Sequence, residues 1–177
     1  TSCIMETRLL VSPADLDMYH RWIASHPQAT LWQSLEWKEY QEALGRQTRL
    51  YGVLENNKIV ASALVVIDRT SLGLSTWDIP RGPLGEKAEG KWEKELMECI
   101  LKDAKTEGCM CLYYSPLSPF PFPLSQPSPR HEQPEATRIV DISKDDESIL
   151  SQMHQKGRYN IKVAQKNGVS VRQSQEI

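Results

Sequence analysis

The chain has 177 residues, 40% of them hydrophobic and 25% charged, which is ordinary for a soluble globular protein and excludes a disordered or fibrous one. That length accommodates one domain and part of another. The formal net charge of -2 excludes a general polyanion-binding field, so any nucleic-acid contact has to come from a local basic patch.

Ser12-Pro13 opens the first helix, with a capping hydroxyl and proline at the first helical position; Leu16, Tyr19, His20 and Ile23 then share one face to about Ser25. Ser34 caps a second, aromatic-rich helix with Trp37, Tyr40 and Leu44 on one side and Gly45 as its stop. Leu50–Leu54 and Ile59–Ile67 read as a β-hairpin around Glu55-Asn56-Asn57-Lys58. A third strand, about Leu74 to Ile79, ends at Pro80-Arg81-Gly82-Pro83, where two prolines and a glycine stop pairing. Helical spacing of Trp92, Leu96, Cys99, Ile100 and Ala104 predicts a helix between Lys87 and Glu107, stopped by Gly108, and Cys109 to Ser115 follow as a buried strand. Helices and strands in this order make an α/β layer structure.

Seven prolines between Pro116 and Pro134 disfavour regular structure and mark a linker. Beyond it come a strand at Thr137–Ile142 and a long helix capped by Ser143 or Asp145 that runs to about Asn167, with Gly168 as its stop. A further strand then begins at Val169. Leu150, Met153, Gly157, Ile161 and Ala164 form the apolar stripe of that long helix, while Arg158, Lys162 and Lys166 lie four apart on another face. The domains expected are 5–115, a linker at 116–136, and an incomplete second domain at 137–177.

Longest apolar runs such as Ile59–Ile67 are roughly half of what a membrane-spanning helix needs, and the N-terminus lacks a basic segment followed by an apolar one, so a cytoplasmic protein is expected. Cys3, Cys99, Cys109 and Cys111 show no C-x-x-C pair or histidine partner at zinc spacing, and the four histidines suggest neither a metal nor a triad. Motifs for serine hydrolases, P-loop nucleotidases, zinc proteases and classical dinucleotide sites are all missing. Gln165–Ser170 comes nearest to an acetyl-CoA pyrophosphate loop, but Ser170 stands where a small Gly or Ala is needed, and Val169 and Val171 lead into a strand instead of a helix N-terminus.

Three features can carry function, and each has a plainer reading. Arg158, Lys162 and Lys166 make either a solvated basic face or a phosphate-binding one. The Arg81-Gly82-Pro83 turn is either a tight connection or a cation at a strand end, where α/β proteins place ligand crevices. Trp32, Gln33, Trp37 and Tyr40 form a core cluster or a ligand platform, with Lys38 outside it.

Four segments, taken in order, resemble the FemABX family of aminoacyltransferases: Leu31-Trp32-Gln33-Ser34-Leu35-Glu36-Trp37; the strand with Pro80-Arg81-Gly82-Pro83; Gln133-Pro134 through Thr137–Ser143; and Lys156-Gly157-Arg158-Tyr159-Asn160-Ile161-Lys162 through Gly168–Val171. The resemblance implies tandem GNAT-like domains, each a mixed sheet flanked by helices. It also implies transfer of an amino acid from aminoacyl-tRNA to an amine on the stem peptide of a peptidoglycan precursor, lipid II or a UDP-muramyl-peptide, without metal or acetyl-CoA. Peripheral membrane association would come through lipid II. On this view Lys38 and Arg81-Gly82-Pro83 line the precursor site, and Arg158 and Lys162 face either a diphosphate or tRNA. Leu112-Tyr113-Tyr114-Ser115-Pro116 departs from the family in lacking an acidic residue before the proline. The other readings are a GNAT-type acyltransferase with another acyl donor and a noncatalytic precursor- or tRNA-binding module.

Overall fold

The computed structural model describes residues 5–86, 91–117, 122–123, 125–129, 133–134, 136 and 139–173. Its elements run β1 (Met5–Leu9), α1 (Pro13–Ser25), a 3-10 turn (Leu31–Gln33), α2 (Leu35–Ala43), β2 (Gln47–Glu55), β3 (Lys58–Arg69), β4 (Ser75–Ile79), β5 (Leu84–Gly85), α3 (Lys91–Thr106), β6 (Cys109–Tyr114), α4 (Asp146–Gln152) and α5 (Gln155–Lys166). The chain divides into two compact units, Thr1–Pro134 and Glu135–Ile177.

In the first unit the strands form one mixed sheet in the order β1-β2-β3-β4-β6, with β5 also pairing β3. All pairs are antiparallel except β4 with β6, which are joined through α3 and run parallel. One sheet face carries Tyr51, Val53, Ala63, Val65, Ile67, Trp77 and Ile79 against Leu96, Met97 and Ile100 of α3. The other carries Leu50, Leu54, Ile59 and Leu64 against Tyr19 and Ile23 of α1, with Leu35 and Trp37 of α2 packed beside them. The α/β class expected from the sequence, a mixed sheet flanked by helices, is the one observed.

Local chemistry explains the element boundaries. Ser12 caps α1 in a capping box: its hydroxyl accepts from Asp15 N at 3.1 Å while the Asp15 carboxylate accepts from Ser12 N at 3.1 Å. Arg8 of β1 donates to the same carboxylate at 2.7 Å, tying the edge strand to the helix. The β2–β3 hairpin turns on Asn56 and Asn57, whose φ of 51° and 61° are those of a two-residue type I′ turn that asparagine tolerates. Gly85 is required for close approach, because a Cβ there would lie 2.3 Å from the Trp92 ring.

Five expectations are corrected. Residues 169–173, where a strand was expected to begin, form none among the described residues. β6, expected as a buried strand, lies at the end of the sheet with none of its residues buried and Met110 56% exposed. Two strands, β1 and β5, are additional to those read from the sequence. Residues 139–142, expected in a strand, form none among the described residues, with Ile139 91% and Ile142 81% exposed; residues 137 and 138 lie outside them. The long helix is two. His154 caps α5 by accepting from Lys156 N at 3.2 Å, and α4, capped by Asp145 at 2.8 Å, ends before it. The start of the helix expected from Lys87 falls on residues outside those described, as does Cys3.

Candidate functional site

Side chains alternate across a strand, so with Trp77 and Ile79 buried toward α3, Thr76 and Asp78 occupy the opposite face of β4. Register brings them to neighbours of matching direction: Asp78 lies opposite Val66 and Thr76 opposite Asp68 on β3, while Tyr113 of β6 pairs with Asp78 on the other side. These five residues form the floor of a cleft of about 180 Å³. Its wall is Trp32, Trp37, Gln41 and Arg46, from α2 and the segments flanking it, and its rim is Pro80 and Gln133.

The wall is ordered by its own contacts. Trp32 and Trp37 meet edge to face at 4.4 Å, and Trp37 stacks obliquely on Tyr40 at 5.3 Å. Arg46 donates to Gln41 Oε1 at 2.7 Å and to Asp68 at 3.3 Å, so the guanidinium bridges α2 to β3 across one end of the cleft. The Trp37 Nε1–H is sealed from solvent and has no acceptor among the described residues, a state that costs roughly 1–3 kcal/mol unless something supplies one.

Gln33 fixes the rim. Its amide donates to the Pro80 carbonyl at 2.9 Å and accepts from Thr30 N at 2.9 Å and Thr30 Oγ1 at 2.7 Å, while its own carbonyl accepts from the buried Tyr19 hydroxyl at 2.5 Å. Burial raises the Tyr19 hydroxyl above the usual phenol range, so it remains a donor at physiological pH. Arg81 follows Pro80 with φ of 52°, a left-handed conformation uncommon for arginine, and the Gly82–Pro83 bond is cis. Two bonds hold Arg81 there: its N–H donates to Ser115 Oγ at 3.0 Å and its guanidinium to the Pro134 carbonyl at 2.9 Å. Ser115, which occupies the position where the family resemblance leads one to expect a carboxylate, therefore anchors the turn.

The other sequence candidates lie elsewhere. Lys38 does not line the cleft; its ammonium sits 2.7 Å from Glu42 Oε1, which also accepts from Thr48 at 2.5 Å. Burial pushes the Glu42 carboxyl up, but the bonds from Lys38 and Thr48 and the Lys38 charge outweigh it and hold it below the usual range. Arg158 and Lys162 belong to the second unit. Arg158 turns back on α4, donating to the carbonyls of Leu150 at 3.4 Å, Ser151 at 3.2 Å and Met153 at 2.5 Å, and so satisfies the end of that helix. Lys162 is exposed on α5.

Asp68, Asp78, Thr76, Tyr113, Gln41 and Arg46 were not singled out in the sequence. A signal was present: Thr76 and Asp78 alternate with Trp77 and Ile79 in an interior strand, where a polar face requires a reason. Among the described residues no group of histidine, cysteine or carboxylate side chains could hold a metal ion. No helix among them is long and apolar enough to cross a membrane.

Fold and site together define an α/β protein whose crevice opens beside a parallel strand pair, with a rigid arginine turn at the strand end. A FemAB family model matches residues 16–122, which include the whole floor and wall of the cleft as well as Arg81. The chain belongs to the FemAB family. The crystal structure of FemX superposes with a TM-score of 0.65 at 20% identity, over 96% of this chain and 46% of that one, so the two share a fold and this chain spans under half of FemX. A ribosomal-protein-alanine N-acetyltransferase from Brucella melitensis biovar Abortus 2308 aligns at 16% identity over 64% of this chain and 80% of its own, with a TM-score of 0.46. No curated protein matches the chain.

Proposed function

We propose that the chain serves an aminoacyltransferase that moves an amino acid from aminoacyl-tRNA to an amine on the stem peptide of a peptidoglycan precursor, lipid II or a UDP-muramyl-peptide, on the cytoplasmic side. The observation that carries this reading is the FemAB match over the residues that build the cleft and the Arg81 turn. An aminoacyl ester is already activated and an amine is a competent nucleophile once deprotonated, so positioning and stabilisation of the developing oxyanion supply most of the rate. A preformed cleft with a fixed rim suits that demand.

In this reading Arg81, Gly82 and Pro83 border the precursor, and Lys38 supplies a second cation near it. Lys162, with Arg158 where it is released from α4, meets phosphate of the precursor or of tRNA. Residues 5–115 act as a first GNAT-like domain, 116–136 as a linker, and 137–177 as the opening of a second. Titration calorimetry of the chain with a UDP-muramyl-peptide and, separately, with acetyl-CoA tests the proposal. Binding of the muramyl-peptide alone supports it; binding of acetyl-CoA alone overturns it in favour of a GNAT-type acyltransferase with that donor.

A further inference from the structure

The proline-rich segment that follows β6 comes back to the site at its far end. Phe122, near its start, packs against the apolar layer between the sheet and α3. Further on, Gln133 lines the rim of the cleft, and the Pro134 carbonyl accepts from the Arg81 guanidinium at 2.9 Å. The segment is therefore pinned at two points, and the second pin is the arginine that borders the precursor in the function proposed above.

Two properties make that second pin exchangeable. The backbone around Arg81 has other supports: its N–H donates to Ser115 Oγ at 3.0 Å, the Ser115 N–H donates to the Ile79 carbonyl at 3.3 Å, and Gln33 holds the Pro80 carbonyl at 2.9 Å. The turn therefore survives loss of the guanidinium bond. The bond itself joins a guanidinium to the neutral carbonyl of an exposed proline. A phosphate or carboxylate oxygen in the same place makes a charge-assisted bond roughly twice as strong, and a pair of such oxygens matches the fork of the guanidinium. Proline gains few conformations on release, which keeps the pin seated until such a group arrives.

We infer that Gln133 and Pro134 form a strap that Arg81 holds at the rim of the cleft, and that an oxyanion on the incoming ligand displaces the Pro134 carbonyl from the guanidinium and frees the strap. Resting on the function proposed above, this makes Arg81 both the ligand contact and the latch. Ligand binding opens the rim, and the free chain keeps it closed at the expense of affinity.

Hydrogen exchange and titration calorimetry on the unaltered chain and on Pro134→Gly test this, with a UDP-muramyl-peptide as the ligand. Saturation should raise amide exchange in the segment that carries Gln133 and Ala136, whereas a ligand packed onto a strap that stays in place lowers it. Pro134→Gly, at an exposed position, gives the released strap more freedom and should tighten binding by about twofold to fivefold. A proline that only shapes the site would weaken binding when replaced. Exchange that stays level or falls on saturation, or affinity of Pro134→Gly no higher than that of the unaltered chain, overturns the strap while leaving the proposed function standing. Binding of the muramyl-peptide to neither chain overturns the proposed function and this inference with it. UDP and the free stem peptide, titrated separately, distinguish a diphosphate source of the oxyanion from a carboxylate one, the source being whichever raises exchange.

Discussion

Replacing Gln33 by leucine removes a side chain that joins the 3-10 turn to the end of β4. Orientation of its amide is dictated by its neighbours, since the Pro80 carbonyl can only accept and the Thr30 N–H can only donate. Gln33 is 2% exposed, so water does not replace the lost partners without rearrangement. Leucine leaves the Pro80 carbonyl and the Thr30 N–H and hydroxyl without their present bonds. At about 1–3 kcal/mol for each buried group left unsatisfied, offset in part by a leucine of similar size, the net loss should be roughly 3 kcal/mol. For a chain of this length that corresponds to a fall in Tm of roughly 6–12 °C.

Urea denaturation followed by tryptophan fluorescence measures the loss, and an unchanged m-value would show that the denatured state is unaltered. Because Pro80 precedes Arg81, affinity for the muramyl-peptide should fall more in Gln33→Leu than in a surface variant destabilised to the same extent. A stability change below about 0.5 kcal/mol, the range of ordinary surface substitutions, together with unchanged affinity, would refute the role assigned to Gln33.

Asp15→Asn should destabilise the chain by about 1–3 kcal/mol at neutral pH through loss of the charged cap and its bond to Arg8. The Arg8 hydrogen bond, with help from Ser12 and Val11, holds the Asp15 carboxyl well below the usual range against burial. Its contribution is therefore full above the unfolded-state value of about 4 and fades as pH falls below it, so the gap between parent and variant should close in acid denaturation curves. Gly85→Ala places a Cβ against Trp92 and should cost about 1–3 kcal/mol by the same urea assay, with relief in the double variant carrying Trp92→Leu. Arg158→Ala should lower helix content by circular dichroism, because three carbonyls at the end of α4 lose their donor, whereas Lys162→Ala should leave it unchanged.

The elements with strong local signals were legible in the sequence. Ser12-Pro13 with Asp15, Ser34 before α2, and Asn56-Asn57 between two β-rich runs each encode a boundary through a few neighbouring residues. β1 and β5 were not: β5 has only two residues, and β1, Met5–Leu9, carries charged Glu6 and Arg8 and no β-branched apolar residue, so each depends on its neighbour, β2 or β3, for definition. The break between α4 and α5 escaped notice because the apolar stripe passes through Met153 without proline or glycine, and the capping by His154 and Arg158 is visible only in three dimensions. The cleft was illegible for a related reason: Trp32, Asp68, Asp78 and Tyr113 are distant in sequence and meet through strand register and the placement of α2.

Arg81 shows how a local signal can be right about place and incomplete about cause. Proline and glycine marked the turn, but its arginine is held in a left-handed conformation by Ser115 and Pro134, neither of which the turn itself announces. Lys38 and Arg158 show the reverse, since cations suited to phosphate are engaged by Glu42 and by helix carbonyls.

The most direct measurement is an amide chemical-shift titration of the isotopically labelled chain with a UDP-muramyl-peptide. The account predicts saturable shifts concentrated at Trp32, Trp37, Thr76, Asp78, Arg81 and Tyr113. Saturable shifts confined to other surfaces, or none at all, would contradict it.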